Sequence, residues 1–144
     1  ARRRRLPGLS RRAGLPGPQA MTAVGFVLLW LRAFALTLLV ELPVAVPLLR
    51  ASGRPDAPTW RRAALVLFAN LASHPLLWFA LSALPLPGPW TLVVSETWAV
   101  LAEAALYRLA LDGVPLRRCV LASLAANAAS LSIGLALRSL AHAV

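Results

Sequence analysis

Four long apolar stretches constrain this chain more than any other feature. They cover residues 25–49, 63–84, 91–111 and 119–137, and each is close to or above the roughly 20 residues that a helix needs to cross a bilayer. A backbone in lipid must satisfy its own polar groups, so these stretches are predicted to be helical. The chain is 59% hydrophobic and 14% charged, against about 45–50% and about 25% in soluble domains. The sequence therefore predicts an all-α integral membrane four-helix bundle.

The chain divides into two regions by composition. Residues 1–20 combine arginine runs with Pro and Gly and lack apolar periodicity, which predicts a disordered basic arm. Residues 21–144 form the predicted transmembrane domain. Met21 begins MTAVGFVLLW, a natural start, so residues 1–20 are a wrongly assigned start, a processed remnant or a basic arm on anionic lipid. The two predicted helical hairpins share no internal repeat.

Arginine accounts for all fifteen basic residues, and six of the fifteen lie within residues 2–12. A run of arginines without interleaved aromatics does not indicate a nucleic-acid site, so the predicted partner is the lipid bilayer. Arginine is frequent in the loop at 50–62 and beside the loop at 112–118, and is missing from the turn at 85–90. Positive loops stay cytoplasmic, which predicts a multi-pass protein of the bacterial inner membrane with the turn at 85–90 outside. Four spans would leave the arginines of 2–12 outside as well, so the orientation of the N-terminus stays open.

Within the first stretch, Arg32 is interpreted as a side chain that snorkels to one interface. Residues 33–49 would then cross the membrane, and residues 22–31 would be a helical extension that lies along or just above its surface. Four ionisable residues lie inside the predicted spans: Glu41, His74, Glu96 and Glu103. Each costs roughly 2.5–3.5 kcal/mol at the bilayer centre, so such residues are functional candidates.

Polar residues also share a common depth. Glu41, Asn70, Glu103 and Asn127 each lie about eight or nine residues from the arginine-rich end of their span, in a layer roughly 12–13 Å below the surface. His74 lies one turn deeper and Tyr107 one turn shallower. The candidate ion-binding site or polar core therefore comprises Glu41, Asn70, His74, Glu96, Glu103, Tyr107 and Asn127.

This layer permits several kinds of chemistry. Two carboxylates in a low-dielectric site share a proton or bind a cation, which favours a small cation- or proton-handling transporter or channel-like protein. His74, Glu41 and Glu103 are metal candidates, but no two of them have an HxxxH or ExxH spacing, so neither a metal nor a cofactor is assigned. The plain alternative is that these side chains only hydrogen-bond the helices together.

The last span carries a ridge of small residues at Ala122, Ala126, Ser130 and Gly134, typical of close helix packing. Packing within the bundle and docking to a partner both remain open, and the second would make the protein an accessory subunit of a larger membrane complex. A third hypothesis is an intramembrane enzyme on a lipid substrate, with His74 and a glutamate as acid and base. Four short spans enclose little room, so transport is expected to need a homo-oligomer.

Four blocks occur in order: VELP at 40–43, NLASHPLLW at 70–78, ETWAVLAEAALY at 96–107 and SLAANAASLSIG at 123–134. Their pattern (ELP, NxxSHP, ExxxxxxExxxY, NxxSxxxG) resembles a family of small bacterial four-span membrane proteins whose activity is uncharacterised. The resemblance implies a four-helix integral membrane protein. It marks as signature positions Glu41, Asn70, His74, Glu96, Glu103 and Asn127.

Overall fold

The computed structural model describes residues 22–51 and 56–143, and within these ranges the fold is entirely helical. Four helices follow one another as α1 (Ala23–Leu48), α2 (Thr59–Phe79), α3 (Gly88–Ala110) and α4 (Leu116–Ala143). A short 3₁₀ turn, Leu81–Ala83, follows α2. The predicted all-α class with four helices is therefore confirmed. The basic arm predicted for residues 1–20 lies outside the described residues.

Local sequence signals explain most helix ends. The hydroxyl of Thr22 accepts a hydrogen bond from the Gly25 N–H at 3.2 Å, which caps α1. Pro58 and Pro87 precede α2 and α3, where a residue without an N–H is tolerated. Gly113, with φ 81°, lies just beyond α3 in the left-handed conformation that commonly ends a helix. The second span begins earlier than the predicted residue 63, because α2 starts at Thr59, and α2 itself ends at Phe79, with the apolar segment continuing through the 3₁₀ turn to Ala83.

The four helices form a ring. Helix α1 packs against α2 and α4, and α3 packs against the same two helices. The diagonal pairs, α1 with α3 and α2 with α4, make no close backbone contact over the described residues. Side chains from α1 and α3 can therefore meet only across the centre of the ring.

The two ends of the ring differ in their packing. The end that holds the C-terminus of α1 and the N-terminus of α4 is called the packed end. It is filled by a buried cluster: Ala45, Leu49, Val66, Ala69, Ala104, Tyr107, Leu111, Val114, Cys119, Ala122 and Ala126. The small side chains in this cluster allow the backbones to approach closely. The opposite end, where the 3₁₀ turn lies, contains a cavity.

The outer surface is strongly apolar. Leu39 is 73% exposed and Leu109 is 82% exposed, while Glu41 and Asn70 are buried. A continuous apolar exterior around a polar interior is expected of a protein whose solvent is lipid. Within residues 22–51 and 56–143, three segments are long and apolar enough to cross a membrane: Ala23–Leu48, Thr59–Ala83 and Leu116–Ala141. The chain is therefore a membrane protein.

Helix α3 is the exception among the four predicted spans. Its 23 residues would extend about 35 Å at 1.5 Å per residue, which is long enough. It carries Glu96, Glu103 and Arg108. Because these charges lower its mean hydropathy, it is not among the described helices that are apolar enough to cross a membrane. Its glutamates instead lie along the inside of the ring, where Glu96 and Glu103 line the cavity.

Candidate functional site

Two buried carboxyl groups occupy the centre of the ring. Glu41 comes from α1 and Glu103 from α3, the helices on one diagonal, and their exposed fractions are 0% and 1%. A carboxylate buried in a low-dielectric interior is costly unless hydrogen bonds satisfy its oxygens. The donors come from α2 and α4, which lie between the two glutamates on either side.

Glu41 accepts one hydrogen bond from each neighbouring helix. Asn70 on α2 donates from Nδ2 to Oε2 over 2.8 Å. Ser130 on α4 donates from its hydroxyl to Oε1 over 3.0 Å. Both carboxyl oxygens of Glu41 therefore have a donor.

Glu103 accepts three hydrogen bonds. Ser73 on α2 donates to Oε1 over 3.2 Å. On α4, Ser123 and Asn127 both donate to Oε2, over 2.8 and 2.7 Å. The structure thus brings together the four residues predicted to share one depth, Asn70 with Glu41 and Asn127 with Glu103, and adds three serines as further donors.

The donors follow a repeated pattern that links the two helical hairpins. Asn70 and Ser73 on α2 have the same three-residue spacing as Asn127 and Ser130 on α4. Each asparagine binds the glutamate of the preceding helix, and each serine binds the glutamate of the other hairpin. The sequence interpretation that the hairpins share no repeat is therefore wrong. Each hairpin contributes a glutamate followed by an N-x-x-S segment. The asparagine binds the glutamate of its own hairpin, and the serine binds the glutamate of the other hairpin.

His74 lies beside this cluster in an aromatic environment. Its Nδ1 accepts a hydrogen bond from the indole nitrogen of Trp30 over 3.0 Å. The rings of Phe34 and Trp78 lie against it, with centroids 5.3 and 6.2 Å away. Over residues 22–51 and 56–143, no three His, Cys, Asp or Glu side chains form a group that could hold a metal ion. The metal candidates His74, Glu41 and Glu103 are thus not assembled as a ligand set.

The contact with Trp30 also bears on the start of α1. Residues 22–31 were expected to extend the helix along or just above the membrane surface. Helix α1 is continuous from Ala23 to Leu48, so it does not turn at Arg32, and its first half packs into the ring. The rings of Phe26 and Trp78 meet edge to face at 5.8 Å, which ties the start of α1 to the end of α2.

A cavity of about 810 Å³ opens from the carboxyl pair toward the 3₁₀ turn, and all four helices line it. Glu41 and Glu103 lie at its inner end, and Ser82 and Gly88 lie near the turn. Glu96 lines the cavity wall between the carboxyl pair and the 3₁₀ turn. This cavity is larger than the sequence interpretation expected of four short spans, and the homo-oligomer stays a prediction.

Two other predicted residues have different surroundings from those expected. Tyr107 belongs to the packed end, and its buried hydroxyl has no hydrogen-bond partner among the described residues. Gly134 was predicted to pack closely against a helix, but it lines the cavity and an added Cβ would meet no atom within 4 Å. Ala122 and Ala126, on the same ridge, are buried as expected. The ridge therefore packs in one half and borders the cavity in the other.

The arginine-rich end of the ring is closed by polar contacts. The guanidinium of Arg62 is buried and pairs with Asp56, and it also donates to Thr59 over 3.2 Å. The Ala51 N–H donates to Asp56 over 3.0 Å. This N–H and then the Arg62 guanidinium hold the pKa of Asp56 below its ordinary value.

The predicted site lacked four of these polar groups: Trp30, Ser73, Ser123 and Ser130. The repeated N-x-x-S spacing was the available signal for Ser73 and Ser130. No sequence signal pointed to Trp30, because indole donors find partners only through tertiary packing. In comparisons with known proteins, no family model, curated protein or solved structure matches this chain.

Proposed function

We propose that this chain is a small cation- or proton-handling protein of the bacterial inner membrane, in which Glu41 and Glu103 bind the ion. The observation that carries the proposal is the pair of buried carboxyls at the inner end of a cavity of about 810 Å³. Ionisable groups inside a membrane are rare because they are costly, and they mark ion pathways. Five hydrogen-bond donors hold this pair, and a cavity reaches it. Side chains that only join helices by hydrogen bonds would not need such a cavity.

The direction of access follows from the arginines. Arg50, Arg61, Arg62 and Arg118 lie at the packed end of the ring. Positive loops stay in the cytoplasm, so the packed end faces inward and the cavity opens to the outside. The site is then reached from outside and closed from inside by the buried cluster. All four helices, α3 included, cross the bilayer in this proposal.

The alternative hypotheses have less support from the same contacts. Docking of an accessory subunit was based on the small-residue ridge, but Ala122 and Ala126 are already buried within the chain and Gly134 borders the cavity. Acid–base catalysis was based on His74, but its Nδ1 is engaged by Trp30. The proposed membership of a family of small bacterial four-span proteins is compatible with the ion-handling function.

Ion flux into liposomes tests the proposal. The purified chain is reconstituted with a pH-sensitive dye inside, and flux is driven by an imposed pH gradient or by a gradient of Na⁺ or K⁺. We expect Glu41→Gln and Glu103→Gln, singly and together, to abolish flux, because an amide keeps the shape of the carboxyl but removes its charge.

The matched control is Asp112→Asn, which neutralises an exposed carboxyl beyond α3 and should leave flux unchanged. Helical content measured by circular dichroism confirms that each variant is folded. Flux that survives in the folded double variant contradicts the proposal.

A further inference from the structure

Each carboxyl of the pair has one oxygen with a fixed donor. Asn70 donates to Oε2 of Glu41 and Asn127 donates to Oε2 of Glu103, over 2.8 and 2.7 Å. The nitrogen of an amide side chain donates and does not accept. Oε2 is therefore kept as an acceptor in both glutamates, whatever the ionisation state of the carboxyl.

The other oxygen of each carboxyl contacts a serine hydroxyl, which can either donate or accept a hydrogen bond. Oε1 of Glu41 faces the hydroxyl of Ser130 at 3.0 Å, and Oε1 of Glu103 faces the hydroxyl of Ser73 at 3.2 Å. A hydroxyl has one proton to donate and can also accept. Each serine has a second acceptor, because Ser130 Oγ lies 3.0 Å from the Asn127 carbonyl oxygen and Ser73 Oγ lies 3.5 Å from that of Asn70.

These contacts suit both the ionised and the protonated carboxyl. When Oε1 is ionised, the serine donates to it. When Oε1 carries a proton, the serine turns its own proton to the carbonyl oxygen and accepts from the acid. Both states are hydrogen-bonded without movement of a heavy atom, so neither leaves a buried polar group unsatisfied, which would cost about 1–3 kcal/mol.

The same contacts disfavour a metal cation at this site. Asn70 Nδ2 lies 3.2 Å from the Val66 carbonyl oxygen, and Asn127 Nδ2 lies 3.0 Å from that of Ser123. Each amide is held between two acceptors, so turning it to present its oxygen to a cation would set that oxygen against two others. Ca²⁺ and Mg²⁺ take six or more oxygen ligands at about 2.0–2.6 Å, whereas the amides here present N–H donors to the carboxyl pair.

Resting on the ion-handling function above, we propose that the cargo is the proton and that it binds at Oε1 of Glu41 and Oε1 of Glu103. A hydronium ion in the cavity gives up one O–H bond, a new O–H bond forms at Oε1, and water remains. Ser130 and Ser73 are positioning residues, which keep their own protons and reverse direction. The other titratable groups facing the pair are His74 from α2, Glu96 and Tyr107 from α3, and Arg138 from α4.

Infrared difference spectroscopy on the full chain in lipid tests this assignment. Lowering the pH from about 8 to about 5, across the range in which a buried carboxyl titrates, should produce carboxylic C=O stretching bands that Glu41→Gln and Glu103→Gln remove one at a time. Ser130→Ala should move only the Glu41 band to higher wavenumber, and Ser73→Ala only the Glu103 band, because each acid loses the oxygen that accepts its proton.

Conservative and matched variants separate this role from simple helix contact. Ser73→Thr and Ser130→Thr keep the hydroxyl and should restore the original band positions. Ser132→Ala removes an exposed hydroxyl of α4 that bonds only to Ala128 and should move neither band. The amide I band of the same samples reports whether each variant is folded.

The assignment is overturned if the glutamine variants remove no titrating band, or if the bands stay in place in folded Ser→Ala variants. Loss of the bands on adding NaCl, KCl or MgCl₂ at constant pH would also overturn it, because a metal cation would then displace the proton. If flux depends on the glutamates but no band titrates, the proton assignment fails and the ion-handling function stands. If the bands behave as described but no flux occurs, the function fails.

Discussion

Asp56 connects the polar loop after α1 to the first turn of α2. Its carboxylate accepts hydrogen bonds from the Ala51 N–H and from the guanidinium of Arg62. These donors lower the pKa of Asp56 in the folded protein. The folded state therefore favours the ionised form. Its stabilising effect is fully present above the ordinary carboxyl pKa of about 3.9 and is lost as the pH falls through the lower folded pKa.

We expect Asp56→Asn to lower the unfolding temperature of the detergent-solubilised protein near pH 7 by a few degrees. The physical reason is that Arg62, only 2% exposed, loses its charged partner. The difference from the wild type should shrink in a second measurement at acid pH, below the ordinary carboxyl pKa of about 3.9, because the wild-type carboxyl also becomes neutral as the pH falls through its lower folded pKa. Asp112→Asn, at an exposed carboxyl, should behave like the wild type. A deficit of equal size at both pH values would show that the charge of Asp56 is not its cause.

Single residues of the site differ in how well the sequence predicts them. Glu41 and Glu103 could be found from sequence because a charge in an apolar stretch is costly and stands out. Asn70 and Asn127 could be placed at their depth because the helical rise is constant. Ser73 could not, since a serine hydroxyl in a helix can bond to its own backbone and therefore signals no tertiary contact.

Helix α4 combines two environments along one face. Ala122 and Ala126 lie in the packed end, and Gly134 borders the cavity about two helical turns further along α4. Because a Cβ at Gly134 would enter open space, a large side chain can be added there without displacing a neighbour at the backbone. We expect Gly134→Phe to fold normally and to reduce ion flux several-fold by filling the path to the carboxyl pair.

The control for this variant is Ile133→Phe, which adds an aromatic ring at the next residue. Ile133 is 41% exposed and does not line the cavity, so flux should be unchanged. Flux measured in liposomes and helical content measured on the same preparations decide the outcome. Normal flux through Gly134→Phe would mean that ions do not reach the glutamates through this cavity.

The existence and order of the four helices could be predicted from apolar length, but the packing of α1 could not. Arg32 suggested a boundary that divides the first stretch. The structure instead continues α1 through it, because Phe26 and Trp30 pack on aromatic residues of α2. The repeat was also visible in principle, as N-x-x-S occurs at 70–73 and 127–130. A motif that specifies only two residues becomes meaningful only when both serines contact a glutamate.

The ring as a whole is asymmetric along its axis, with most of the described arginines and a packed core at one end, and at the other a cavity that Arg138 lines. Each hairpin supplies a glutamate to one central cluster, and the two hairpins run in the same direction. Such parallel repeats related by an axis along the membrane normal occur in transporters. The cavity lies at one end only, so the cluster is accessible from that end, which is the outer side in the orientation proposed above.

Cysteine labelling tests this orientation with little background, because the chain has one cysteine, Cys119, which is fully buried. Gly88 lies at the cavity end, where an added Cβ meets open space, and Asp112 is exposed beyond the far end of α3. A membrane-impermeant maleimide added to intact spheroplasts should label Gly88→Cys and spare Asp112→Cys until the membrane is permeabilised. Wild-type protein should stay unlabelled, because Cys119 is shielded. The reverse pattern would turn the cavity toward the cytoplasm, and labelling of both variants in intact cells would mean that α3 does not cross the bilayer.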